Sequence, residues 1–132
     1  MNDPAWRWVR EDSVLAIHAA QIAEHGGLSG IRDMALVQSA LVRPRNLVAY
    51  GDPDAAALAA AYAFGLARNH GFSDGNKRTA YVVALVFLLA NGIEMTASDV
   101  DSVTTMLAVA SGQMDEDSLA DWFRQNIEQV NS

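Results

Sequence analysis

Nine consecutive residues, HGFSDGNKR from His70 to Arg78, hold the densest set of side chains in this 132-residue chain that could do chemistry together. Lys77 and Arg78 supply an ammonium and a guanidinium, Asp74 a carboxylate, and Gly75 a backbone that a ligand can approach closely. His70 is the only side chain of the stretch that exchanges a proton near neutral pH. If a helix starts at Gly75 or Asn76, both cations stand in its first turn, where unpaired N–H groups already carry partial positive charge. Each is then unfavourable by about 0.3–1 kcal/mol, and a bound anion reverses the sign. The helix start, Gly75 and the two cations therefore make a phosphate-binding site. Asp74 alone would repel phosphate, yet it suits Mg²⁺ bridging phosphate oxygens. The same residues admit a plainer role, with His70 as the C-terminal cation of one helix, Asp74 as the cap of the next, and Lys77 and Arg78 solvated. Density favours chemistry, because charge is normally excluded between two strongly apolar flanks. Phe72 reads as the anchor that pins the loop to the core.

Those flanks are helical by composition and rhythm. Alanine occupies 23 positions, and alanine is the best helix former because it loses no side-chain entropy. Asp12 or Ser13 opens a helix that runs to about His25 and stops at Gly26-Gly27. A second spans Asp33 to Val42, with Pro44 ending it. A third starts at Asp52-Pro53 and runs to Asn69. The fourth, from Gly75 or Asn76 to Gly92, is apolar nearly all round and belongs at the centre of a bundle. Thr96 with Asp99 resembles a capping box opening a fifth helix to Gly112, and an amphipathic sixth covers Asp115 to Gln129. The expectation is a single all-α domain over residues 1–132, with six helices and no strand.

Composition narrows the function. Sixteen acidic against nine basic residues give a formal charge of −7, which argues against gripping nucleic acid by bulk charge. With no cysteine there is no disulfide framework or thiolate zinc site, so a cytoplasmic setting is expected. The longest apolar stretch, Ala80 to Ala90, is about half of the ~20 residues a membrane span needs, and the amino terminus shows no signal-peptide pattern. GFSDGNK misses the P-loop pattern at Asn76 and Arg78, and a helix rather than a strand precedes it. His18 and His25 are two helical turns apart, roughly 10 Å by rise, too far to share a metal. Trp6 and Trp8 read as packing.

HGFSDGNKR, followed by TAYVVALVFLLANG, resembles the signature HxFx(D/N)xNK(R/K) of the Doc (death-on-curing) toxins in the Fic/Doc superfamily. The similarity extends through QIAEHGGLSGIRD, ALVRP, the AYG at Ala49 to Gly51, and AAAYAFGLARNH, roughly residues 15 to 112. It implies an all-α bundle whose motif loop lies at the N-terminus of a buried central helix. Members with HPFxxGNGRxxR transfer AMP from ATP to a target hydroxyl. This chain has Lys77 where they have glycine, and Tyr81 where they have a second arginine. Doc toxins, which share the lysine, pass the γ-phosphate to a threonine of elongation factor Tu and arrest translation. By that resemblance His70 is the general base, Asp74 helps hold Mg²⁺, Gly75 and Asn76 form the anion nest, and Lys77 and Arg78 hold phosphate and stabilise charge in transfer. The nucleotide is ATP or another triphosphate. Gly71 stands where the family often has proline, which implies a looser neighbour for His70. Arg32, Arg43 and Tyr50 lie in family-like segments as candidates for holding the target peptide.

The resemblance also implies a partner, an antitoxin whose helix enters a groove of the toxin. No intramolecular inhibitory motif of the form (S/T)xxxE(G/N) occurs in the sequence, so neutralisation in trans is expected. AMP transfer to a protein hydroxyl and a catalytically silent binding module with the same fold are the competing readings.

Overall fold

A computed structural model describes residues 5–130. Six helices carry it: α1 (Glu11–His25), α2 (Met34–Tyr50), α3 (Ala55–Asn69), α4 (Asn76–Ala90), α5 (Asp99–Ser111) and α6 (Glu116–Gln125). The architecture is the expected all-α bundle, with one addition. Two short strands, β1 (Ile93–Met95) and β2 (Ile127–Gln129), pair antiparallel with Ile93 opposite Gln129 and Met95 opposite Ile127. The sixth helix therefore ends at Gln125, not Gln129. Asn126 turns the chain, its Nδ2 donating to the Trp122 carbonyl at 2.8 Å.

The centre of the bundle is α3. It touches α2, α4, α5 and α6, and its residues from Leu58 to Ala63 are all buried. Alanine makes this possible by letting neighbours approach: a Cβ on Gly65 would lie only 3.1 Å from that of Ala40 on α2. The most central helix is thus α3 rather than α4. Val83, Ala84, Phe87 and Leu88 of α4 enter the core, whereas Leu89 is exposed. Trp6 and Trp8 pack on Phe87, ring centroids 5.9 and 6.0 Å away.

Helix ends differ from expectation at four further places. The cap position of α1 is Arg10, without a side-chain cap, and Glu11 and Asp12 occupy its first turn, where negative charge favours the helix dipole. Pro44 does not end α2. It is buried in the interior of that helix, and Leu47 and Val48 beyond it still pack against the core. That burial offsets the lost backbone hydrogen bond, normally a penalty of about 3 kcal/mol. Asp54, not Asp52, caps α3. Ser98 caps α5 by accepting from Asp101 N–H at 3.1 Å, while Thr96 instead donates its N–H to the Asn126 carbonyl. No helix among the described residues is long and apolar enough to cross a membrane.

Candidate active site

The motif loop joins the two helices that pack most extensively on each other, α3 and α4, so its ends are fixed by the core. His70 caps the C-terminus of α3 in the left-handed region, φ 53° and ψ 46°. It is the one non-glycine residue with positive φ among the described residues. Such a conformation disfavours an L-residue by about 1–2 kcal/mol, so the surroundings must hold it. Arg32 does so by donating Nε to the His70 carbonyl at 2.8 Å. The next carbonyl, of Gly71, accepts the N–H groups of both Arg32 and Asp33 at 2.9 Å.

Gly71 is held firmly, contrary to the looseness its lack of a side chain implies. A Cβ there would lie 2.5 Å from Val37 Cγ2, so the glycine is what lets the loop close on α2. Beyond it, Phe72 pairs with Ile31 as an isolated antiparallel bridge, and Ser73 N–H donates to the Gly30 carbonyl at 3.2 Å. The turn GLSGIRD thus lies alongside the motif loop as a second strand-like segment. Phe72 is 1% exposed, buried as an anchor should be.

Asp74 points toward this turn. Its Oδ2 accepts the N–H of Leu28 at 3.2 Å and its Oδ1 that of Gly75 at 2.9 Å. These backbone donors, Leu28 first, hold its carboxyl below the usual aspartate range, so it is ionised at neutral pH. A carboxylate offers about four lone-pair sites, and two remain free on an exposed side chain. Among the described residues no group of three or more His, Cys, Asp and Glu could cage a metal ion. A cation at Asp74 would therefore complete its shell with ligand oxygens and water. That suits Mg²⁺, which usually binds through one or two carboxylates plus phosphates.

Gly75 is the N-cap of α4 with φ 75°, a value that favours glycine. The first acceptor in the helix ladder is Gly75 itself, bonded by Thr79 N–H at 3.0 Å. The N–H groups of Asn76, Lys77 and Arg78 precede that bond and have no intrahelical acceptor. No acidic residue stands in this first turn, and Lys77 and Arg78 are both exposed. One arm of Arg78 reaches the Gly26 carbonyl at 3.3 Å, tying the turn to the end of α1. The side chain of Asn76 faces back to Phe72, donating to its carbonyl at 3.0 Å and accepting its N–H at 3.1 Å. Only the backbone N–H of Asn76 remains available to an anion.

From Lys77 and Arg78 a groove of about 390 Å³ runs between α1, α4 and α5. Its walls include Gln21, His25, Tyr81 and Met106, with Val103 and Leu107 exposed along the edge. The Tyr81 hydroxyl is paired with that of Ser102 at 2.7 Å. Of the other candidates, Arg32 is joined to the motif loop, whereas Arg43 pairs with Glu116 and lies over the Phe64 ring. Tyr50 lines a separate pocket with Asp52, Pro53 and Asp117.

His18 is a residue that spacing arguments about metals pass over. It is 5% exposed, and its Nε2 lies 2.8 Å from the Asp74 carbonyl. The signal was periodicity: Val14, His18 and Ile22 recur every four residues, placing the imidazole on the buried side of α1.

Comparison with known proteins places this chain in a family. The profile described as "Fic/DOC family" matches residues 8–88, a span that includes the turn, the motif loop and most of α4. The chain is 33% identical over 120 residues to "Protein kinase doc" of Escherichia phage P1, covering 90% of this chain and 94% of that protein. It is 41% identical over 116 residues to "Toxin Doc" of Mycolicibacterium smegmatis, covering 84% and 85% respectively. On this match, over most of its length and through the whole motif loop, the chain belongs to the Fic/DOC family.

Proposed function

We propose that this protein is the toxin of a toxin–antitoxin pair and acts as a phosphotransferase, moving the γ-phosphate of a nucleoside triphosphate to a protein hydroxyl. ATP is the proposed nucleotide, and a threonine of a translation factor such as elongation factor Tu the proposed acceptor. What supports the reading is that one short loop carries His70 at the end of α3 and leads straight into the start of α4, where Lys77, Arg78 and N–H groups without intrahelical acceptors stand. The names of the two relatives, a protein kinase and a toxin, support it.

In this mechanism His70 takes the proton of the attacking hydroxyl as its oxygen bonds to the γ-phosphorus. The bond from that phosphorus to the β,γ-bridging oxygen breaks, and the nucleoside diphosphate leaves with the electron pair. Lys77, Arg78 and the N–H groups of the first turn stabilise the phosphoryl oxygens, as phosphoryl transfer requires mainly positioning and electrostatic support. Asp74 would hold Mg²⁺, which when bound neutralises phosphate charge. Lys77 occupies the position of a glycine in the AMP-transferring pattern, and the Tyr81 hydroxyl is committed to Ser102. Both features favour γ- over α-phosphate chemistry.

The groove between α1, α4 and α5 suits the helix of an antitoxin. Along α5 it presents Val103, Met106 and Leu107 beyond Asp99 and Ser102, and at its other end it is cationic through Lys77 and Arg78, so an amphipathic helix with an acidic residue at that cationic end would also cover the phosphate site. The deciding experiment incubates the protein and Mg²⁺ with γ-labelled or α-labelled ATP in a bacterial lysate. Transfer of γ label into one protein is expected, with loss in His70→Asn, a residue that tolerates the left-handed conformation. Label from the α position alone overturns the reading in favour of AMP transfer. Growth arrest unchanged by His70→Asn overturns it in favour of a silent binding module.

A further inference from the structure

We propose that His18 is a positioning residue for the phosphate-holding turn, acting by locking the orientation of the peptide between Asp74 and Gly75. The role rests on the reading of this turn as a phosphate site.

His18 is the only buried histidine among the described residues, and two contacts account for its place. Its ring lies flat on that of Phe72, centroids 3.9 Å apart and planes 8° from parallel. Its Nε2 lies 2.8 Å from the Asp74 carbonyl oxygen. A carbonyl only accepts, so the imidazole carries its proton on Nε2. One side chain from α1 thereby holds two residues of a loop more than fifty positions away.

The peptide it grips is the one most free to turn. Gly75 adopts φ 75°, and glycine accepts either sign of φ with little penalty, so the preceding peptide plane can reverse without distorting α4. In the observed orientation the Gly75 N–H donates to Asp74 Oδ1 and the Asp74 carbonyl faces His18. Reversal would break both bonds. It would also turn the carbonyl to the side where the Gly75 N–H now points, setting an acceptor in place of a donor beside the Asp74 carboxylate. The imidazole supplies the donor that makes the productive orientation the stable one. It also packs close to Gly75, where an added Cβ would lie 3.8 Å from His18 Cδ2 and Nε2.

The test compares His18→Phe, which keeps a flat ring on Phe72 but has no donor, with His18→Gln, whose amide can donate in place of Nε2. Amide hydrogen exchange without nucleotide is expected to quicken at Leu28 and Gly75 in His18→Phe, with Ala63 in α3 unchanged. His18→Gln is expected to recover much of that protection. In the transfer assay His18→Phe is expected to lower kcat by about 10- to 100-fold with KM for the protein acceptor unchanged, and His18→Gln to recover most of the rate. Exchange at Leu28 and Gly75 identical in His18→Phe and wild type overturns the role, and so does full kcat in His18→Phe. If His18→Phe does not fold, nitrogen NMR of the wild-type imidazole decides: a proton on Nε2 that exchanges slowly supports the lock, and an Nδ1–H tautomer overturns it. Exchange and tautomer need no turnover, so they stand even if the wild type transfers no phosphate.

Discussion

Asn76 and Phe72 hold each other through two hydrogen bonds, one from the Phe72 N–H to Asn76 Oδ1 at 3.1 Å and one from Asn76 Nδ2 to the Phe72 carbonyl at 3.0 Å. The first residue of α4 thus closes the loop that leads into it, satisfying both backbone groups of a residue whose ring is in the core. Asn76→Ala removes both partners at once. Leaving part-buried polar groups unpaired destabilises by about 1–3 kcal/mol. The expected result is a lower urea midpoint with unchanged slope, together with reduced phosphoryl transfer because the N–H groups of the first turn lose their alignment.

Gly71 gives a second prediction. Its missing side chain serves close approach, since a Cβ would meet Val37 Cγ2 at 2.5 Å and Val37 N at 2.9 Å. Gly71→Ala forces the loop and α2 apart, an overpacking expected to destabilise by about 1–3 kcal/mol. Adding Val37→Ala removes the Cγ2 contact but leaves the backbone one. Because Val37 is buried in the core and its truncation destabilises by itself, the comparison is a cycle: Gly71→Ala should lower the thermal midpoint less in a Val37→Ala background than in wild type, and an equal loss in both would place the strain in the backbone contact.

Most of the fold was legible in the sequence because alanine content and glycine stops act locally. Gly26, Gly92 and Gly112 end helices where their backbone freedom is needed, and Asn69 and Asn76 bound α3 and α4 as the polar interruption implies. Legibility failed where tertiary packing overrides a local rule. Pro44 stays helical because its ring and the residues after it are buried. The strand at Ile127–Gln129 exists only because Ile93–Met95 lies beside it. In the site, His70, Asp74, Lys77 and Arg78 share one loop and the helix start it leads into because they are near neighbours in the chain. The contributions of Leu28, Arg32 and His18 do not, since each reaches the loop across roughly forty to sixty residues and through backbone groups that no side-chain motif records.

The bidentate pair of Asp54 and Arg124 gives a pH-dependent prediction. Arg124 Nε and Nη2 lie 2.7 and 2.9 Å from the two carboxylate oxygens, and the same carboxylate caps α3 through Ala57 N–H. The guanidinium, helped by the cap, holds the Asp54 carboxyl below its usual value of 3.8. A depressed folded-state pKa means that the contribution is fully present above the unfolded-state value and is lost as pH falls through the folded-state one. Stability should be insensitive to this pair from pH 7 to pH 5 and decline below about pH 4. Asp54→Asn retains a good cap and removes the charge, so at pH 7 it should lose only about 0.2–1 kcal/mol for a largely exposed pair. The difference between variant and wild type should shrink in urea titrations below pH 4, and a difference that grows on acidification would reverse the assigned sign.

Lys77 separates stability from function most clearly. It stands in the first turn of α4 with no acidic residue beside it in that turn, where the helix dipole disfavours a cation by about 0.3–1 kcal/mol. Nothing in the fold requires the charge, since Lys77 is exposed whereas Arg78 also reaches Gly26. Lys77→Ala should therefore leave the ligand-free protein as stable as before, or a few tenths of a kcal/mol more stable, because alanine is also the better helix former. Nucleotide reverses the comparison. At 100 times its dissociation constant a ligand adds about 2.7 kcal/mol to the folded state, and a variant that binds tenfold more weakly gains about 1.3 kcal/mol less at the same concentration. Thermal unfolding with and without ATP and Mg²⁺ should show wild type and variant level when free, with wild type clearly higher when bound. Equal shifts for the two proteins would mean that Lys77 makes no contact with the phosphates.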